Sequence, residues 1–372
     1  MHIFVVPSKD TTIYNDEPTQ NTGKDEILEI IKKPITAASR SLSPSETAYV
    51  SASILSRALI QFDLSYISRS IAAGTITAPR FYLNMHVCRV DGQEESSTLY
   101  IYPIQTGSSW VQGIGKRWDG VIREEGASWT ASDGEVPTYW ALSGSNFIDT
   151  GSLTATASLW PNQNNFTDSE IYTYELADLR ADVSNIVNRW FSGSENNGFL
   201  IKRSVSEEED VKDYGIIQFY SSDTHTVYGP TLEVAWDDSA FATGTLVASN
   251  IDDMFIYTKN LKEQYNNREK ARIKVGTREL FPSKSYADSN PYLHQKYLPT
   301  SSYYSVIDSF TAETIVPFDT GSTKISCDSN GNFFNIWMNG FQPERFYKLR
   351  VKVVSGSSEN IFDIPTNFKV VR

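Results

Sequence analysis

The sequence predicts an all-β protein of two domains, and three observations carry that prediction. The chain has 372 residues, more than a single hydrophobic core usually supports, since domains run to roughly 100–200 residues. Its apolar residues are largely aromatic and β-branched, the types that fit a pleated, half-buried surface. With 20 Tyr, 19 Phe and 8 Trp in a chain that is 40% hydrophobic, there is enough apolar surface to offset the entropy of ordering. Finally, short apolar runs alternate with clusters of Gly, Ser, Thr and Asn along the whole chain, as strands alternate with turns.

Strands are expected first at Ala58-Leu-Ile-Gln-Phe-Asp-Leu64, Arg80-Phe-Tyr-Leu-Asn-Met-His-Val87 and Thr98-Leu-Tyr-Ile-Tyr-Pro-Ile104. In the second, Phe81, Leu83, Met85 and Val87 share one side, the period-2 pattern of a strand with one buried face. One segment breaks the pattern: Val183, Ile186, Val187 and Trp190 follow helical spacing, with Asp182 placed as N-cap and Gly193 as the stop. This is one short helix packed on a sandwich. Strand signals resume at 198–202, 214–220 and 231–236, and the acidic run 206–213 reads as a solvated hairpin tip.

The joint between domains belongs near residue 240, giving domains 1–238 and 239–372. Residues 259–272 are dense in charge; a helix and an exposed extended segment fit them equally. Further strands are expected at 302–307, 324–327, 332–337, 346–353 and 366–371. In the fourth of these, Tyr347, Leu349, Val351 and Val353 form one face and Lys348, Arg350 and Lys352 the other. No fixed-period repeat covers the chain, which argues against solenoids and propellers.

The formal net charge of −12 is uneven. Residues 1–237 hold 17 Lys/Arg against 31 Asp/Glu, a net of −14, whereas residues 238–372 are near neutral. An acidic first half repels phosphate, so nucleic acid is not an expected partner. Cys88 and Cys327 fall in different expected domains, signal no disulfide framework and read as reduced core residues. No run approaches the roughly 20 apolar residues of a membrane span, and the start lacks the pattern of an export signal, so no membrane insertion is expected.

Ordered landmarks across residues 1–237 resemble the DNRLRE-type jelly-roll domain, a relative of carbohydrate-binding modules found in cell-surface and some tailed-phage proteins. They are Arg57-Ala-Leu-Ile-Gln-Phe-Asp-Leu64, Trp110 and Trp129 in a Gly/Ser-rich stretch, the helix from Asp182 to Trp190, Asn197-Gly-Phe-Leu-Ile201, Phe219-Tyr-Ser-Ser222 and Gly229-Pro-Thr-Leu-Glu-Val234. The family's tryptophan motif is compact, whereas Trp110, Trp118 and Trp129 are spread here over an insertion. Phe341-Gln-Pro-Glu-Arg-Phe-Tyr347, followed by an alternating strand, resembles the fibronectin-type corner, in which a tyrosine hydroxyl bonds back to upstream backbone; Tyr347 takes that part. The second half therefore looks like an immunoglobulin- or fibronectin-type sandwich. The combination, including Tyr297-Leu-Pro-Thr-Ser-Ser-Tyr-Tyr304, also resembles virion structural proteins of tailed bacteriophages.

Candidate chemistry is sparse. His2, His86, His225 and His294 lack metal-ligand spacing, and no Gly-x-Ser-x-Gly elbow or phosphate loop is present, so no enzyme is expected. Trp110, Trp118, Trp129, Trp140 and Trp160 lie in turn-rich stretches; they either stack on sugar rings or partner surfaces or fold down as plugs. The jelly-roll resemblance implies a structural calcium near the domain termini, for which Asp10, Asp16, Glu17, Asp237 and Asp238 are the available oxygen ligands, although a solvated acidic patch explains them as well. What the resemblances imply is a virion structural or accessory protein at the neck, tail or head surface, assembled in the host cytoplasm. Its partners would be other virion proteins and copies of itself. The alternative is a glycan-binding adhesin that holds host surface glycans with its loop tryptophans.

Overall fold

The structure, a computed structural model, describes residues 1–34, 53–91, 97–105, 107–136, 138–141, 144, 155–159, 178–250, 253–287, 289–356 and 358–372. Trp160 lies outside these residues. The fold is all-β, with sandwiched sheets and, among the described residues, three short α-helices. Two compact units emerge, one of residues 5–68 and 80–233, the other of residues 1–4, 69–79 and 234–372. The division expected at 238/239 thus falls at 233/234, and residues 1–4 and 69–79, expected in the first domain, group with the second.

The larger sheet of the N-terminal unit runs in the order Ala155–Leu159, Ser97–Pro103, Phe199–Lys202, Ser53–Phe62, Ile27–Pro34, Gly215–Tyr220, Val87–Asp91. The strand Ser53–Phe62 ties it together. Its first three residues pair with Lys32–Pro34; from Ser56 onward it pairs with Pro7–Tyr14, and Ala58–Ile60 pair with Phe199–Ile201 on the other edge. Where the partners part, Ser56 Oγ accepts from the Ile31 N–H at 2.8 Å and donates to the Glu29 carbonyl at 2.6 Å. The side chain thus replaces ladder bonds that the parting strands cannot make.

Consecutive strand residues face opposite ways, so Ala58, Leu59, Ile60 and then Phe199, Leu200, Ile201, all fully buried, show that this sheet is covered on both faces. One covering is the sandwich interior, where Phe62, Phe199 and Trp190 meet edge-on or tilted. The other is a second apolar cluster of Ile13, Leu59, Tyr102, Ile104 and Leu200, capped by Trp110, Ala127 and Trp140 from the insertion that follows residue 107. The expected alternation through Val87 stops at Met85: Arg80–Met85 pairs with Leu179–Asp182, while Val87 starts a new strand on Gly215–Tyr220. The chain changes sheets at His86.

The expected helix is Ser184–Phe191, with Ile186, Val187 and Trp190 buried. Asp182 is not its N-cap. It ends the strand Leu179–Asp182, Val183 holds the cap position, and the Asp182 carboxylate accepts the Ser184 N–H at 2.9 Å from one residue further back. Gly193 follows the last turn with φ +109°, the left-handed conformation that suits glycine. Two helices were not expected. Ser65–Ala72 buries only Ile67. Val205–Glu209 replaces part of the acidic hairpin tip, nucleated by a capping box between Ser204 and Glu207.

In the C-terminal unit, one sheet runs Met254–Thr258, Lys270–Glu279, Gly331–Trp337, Ser326–Asp328 and the other Gln264–Asn266, Ser358–Val371, Phe346–Ser355, Ser302–Asp308, Thr314–Val316. This is the immunoglobulin order, ABED facing A′GFCC′. The charged stretch 259–272 resolves as extended: Gln264–Asn266 lies parallel to the last strand, and Asn266 Oδ1 turns the chain by accepting the Arg268 N–H. Tyr347 makes the expected corner, its hydroxyl donating to the Gln342 carbonyl at 3.1 Å, and burial pushes its ionisation far up. Leu349 stands where antibody domains carry a disulfide cysteine, and Tyr304 stacks on Phe334 with centroids 4.1 Å apart at the centre of the core. Cys327 is buried, whereas Cys88 is only partly covered and is not a core residue; both are free thiols.

Candidate functional site

The insertion does two things at once. Its tryptophans seal the outer face of the sheet, and its tip, residues 111–122, projects five large apolar side chains into solvent: Val111, Ile114, Trp118, Val121 and Ile122, between 48 and 84% exposed. The hairpin Ala131–Tyr139, whose Ser132 carbonyl accepts the Val111 N–H, exposes Val136 and Tyr139 as well. Apolar exposure this dense within one loop is more than scattered surface residues normally show.

The loop is held by a polar mount. Asn21 is fully buried, and its amide donates to the carbonyls of Gln112 (2.7 Å) and Ala127 (2.8 Å) while its Oδ1 accepts from the N–H groups of Gly115 (2.9 Å) and Gly23 (3.1 Å). Gln20 adds a bond to the Lys116 carbonyl and one from the Arg123 N–H. Gly113 has φ +80°, and a Cβ there would lie 2.0 Å from the Glu125 carbonyl and 2.3 Å from Asn21 Oδ1. Only glycine fits.

Arg117 points inward between the exposed neighbours Lys116 and Trp118. Its guanidinium sits 3.6 Å from the centre of the Tyr14 ring and bonds Asp16 at 2.9 Å, with Glu17 at 4.0 Å. Its backbone N–H donates to Asp25. Asp223 joins the mount by accepting from Lys24 and from Gln112, each at 2.8 Å. Next to it, Asp10 is buried and accepts both the N–H (2.7 Å) and the hydroxyl (2.6 Å) of Ser222.

Burial pushes the Asp10 carboxyl up to about 6, against the opposing pull of Ser222, and burial likewise pushes Asp25 up to about 6 against the Arg117 N–H. Because both folded values lie above the unfolded one of about 4, their contribution to stability is fully present below pH 4 and is lost as pH rises through 6. The N-terminal unit is therefore expected to resist denaturant better at pH 5 than at pH 7, by about 1 kcal/mol from Asp10 alone. Urea midpoints at the two pH values check this, and Asp10→Asn should flatten the difference; an unchanged difference in that variant would rule Asp10 out as its source.

The carboxylates named as calcium candidates find protein partners within their own units. Asp10 is taken up by Ser222 and Asp16 by Arg117; Asp237 pairs with Lys324 at 2.9 Å and Asp238 accepts from Asn335 at 3.0 Å. Among the described residues, none of the five belongs to a group of three or more acids, histidines or cysteines close enough to share an ion. Each acid instead neutralises or caps a neighbour.

Of the loop tryptophans that fall among the described residues, Trp118 alone is largely exposed, at 84%. Trp110 is buried at 1%, its indole N–H donating to the Asn197 carbonyl at 2.8 Å and Lys9 lying 4.3 Å over its ring. Trp129 is partly covered, with Arg57 4.8 Å over its face, and Trp140 is buried with its N–H on the Ser128 carbonyl. An indole that finds a hydrogen-bond acceptor inside the protein is a plug. Trp190 and Tyr347 hold the structural places expected of them. His86 bonds Asp178 at 2.9 Å.

Ile114, Val121 and Ile122 were not anticipated. Their signal is legible in hindsight: apolar residues among Gly113, Gly115 and Gly120 follow neither strand nor helix period, so no regular element buries them.

No family model matches the chain, and no curated protein does. Among solved structures, a Parabacteroides merdae β-glucuronidase crystallised with glycerol in its active site aligns over 98% of this chain and 36% of its own, at 10% identity and a TM-score of 0.18. The chain spans about a third of that enzyme's length, and the superposition is too poor to carry any argument.

Proposed function

We propose that this chain is a non-enzymatic structural or accessory component of a tailed-bacteriophage particle, at the neck, tail or head surface, and that it acts through protein–protein contacts made by the loop 111–122. The observation that carries the contact role is the pairing of five exposed apolar side chains with a mount that fixes their backbone. Pre-organisation of this kind removes the ordering cost from binding. The phage setting is supported by the sequence resemblances of both halves.

Trp118→Ala is expected to change stability by less than about 0.5 kcal/mol while depleting the chain from particles of the phage that encodes it, measured by mass spectrometry of purified virions. A chain absent from wild-type virions defeats the proposal. The exposure of Trp118 also favours a second reading, in which the indole stacks on a host surface glycan; a glycan array probed with wild type and Trp118→Ala separates the two.

A further inference from the structure

We propose that the loop 111–122 is also a self-association surface, on which two copies of this chain meet about a two-fold axis. The inference rests on the loop being a docking surface, as proposed above, and names one occupant for it: a second copy.

Two features select that occupant. The first is area. The five exposed side chains offer about 600 Å² per copy, so an isologous contact would bury about 1,200 Å² in all, the lower bound of specific interfaces.

The second is charge. Residues 1–237 carry a net −14, a field that repels anionic lipid headgroups and opposes a second copy as well, so pairing has to rest on local charge complementarity at the loop. The loop is locally balanced, with exposed Lys116 and Arg123 set against exposed Asp119 and Glu124. A two-fold axis turns that balance into complementarity, because the cations of one copy can face the carboxylates of the other while the apolar centres meet. A bilayer gains nothing from this arrangement. It would also have to cover the backbone of a loop with no regular secondary structure between residues 111 and 122, which hydrocarbon does not tolerate.

The mount explains how so small a contact can hold. Asn21, Gln20 and Arg117 fix the loop before association, so little conformational freedom is lost in the complex. Isologous pairing uses each loop once and closes, so it yields a dimer and no filament.

Sedimentation velocity on the full chain, from about 1 to 300 μM, covers the range of a weak specific dimer. The wild type should shift from monomer to dimer with concentration. Ile122→Asp and Trp118→Ala should each weaken dimerisation at least about tenfold, a hot-spot-sized loss, while Val211→Asp, at an exposed position outside the loop, should leave it unchanged. A wild type that stays monomeric throughout, or a dimer that survives Ile122→Asp, overturns the inference. So does a blue shift of tryptophan emission with phosphatidylcholine vesicles that is lost in Trp118→Phe, which would assign the loop to lipid. A chain present in virions but monomeric in solution would defeat this inference and leave the particle role standing; a dimer absent from virions would do the reverse.

Discussion

Trp110→Ala is expected to destabilise the N-terminal unit by about 4 kcal/mol, within the range for removing a large buried aromatic. Three losses combine. The ring seals Leu59, Leu200 and Tyr102, so its removal opens a cavity on the outer face of the central sheet. The Asn197 carbonyl loses the indole N–H as its donor. Lys9, whose ammonium is pushed down to about 8 by burial, loses the ring it rests on. Urea unfolding followed by far-ultraviolet circular dichroism measures the change, with Trp118→Ala as the comparison. A Trp110→Ala protein as stable as wild type would mean that the indole is no plug, and would restore it as a surface platform.

Asn21→Ala is the second large effect, expected to cost about 3 kcal/mol. Four hydrogen bonds from one buried amide disappear together, leaving the carbonyls of Gln112 and Ala127 and the N–H groups of Gly23 and Gly115 without it. Unsatisfied buried groups cost about 1–3 kcal/mol each, and partial solvation of the loosened loop offsets part of the total. Beyond stability, amide hydrogen exchange across residues 111–126 should accelerate while exchange in Ser53–Phe62 changes far less. Unaltered exchange at the loop would show that Asn21 does not hold it.

How much of this was legible in the sequence depends on the range of the interaction involved. Alternation marks any strand with one wet face, so Phe346–Ser355 could be read residue by residue, and Tyr347 could be placed at its corner from local spacing. The pattern fails at Ala58-Leu-Ile and Phe199-Leu-Ile, where both faces are buried and the apolar run is continuous. That continuity hinted at a second covering layer without naming what supplies it. The fates of Trp110 and Trp118 could not be told apart locally either, since both lie among glycines and polar residues. What separates them is the sheet face beneath Trp110 and the mount beneath Trp118, and Asn21 reaches the loop from about 90 residues away. The partners of the acidic residues were illegible for a related reason: Asp10 meets Ser222 and Asp16 meets Arg117, both far away in sequence.

The strand that ties the larger sheet together has a consequence during synthesis. Ile60 pairs with Phe199, so at about 5–20 residues per second roughly 140 residues of translation, on the order of ten seconds, separate the two. Until the later strand leaves the ribosome, the segment Ala-Leu-Ile-Gln-Phe can pair with Pro7–Tyr14 on one edge but has no partner on the other. Slower growth at reduced temperature, which weakens hydrophobic attraction between waiting chains, should therefore raise the yield of correctly folded protein.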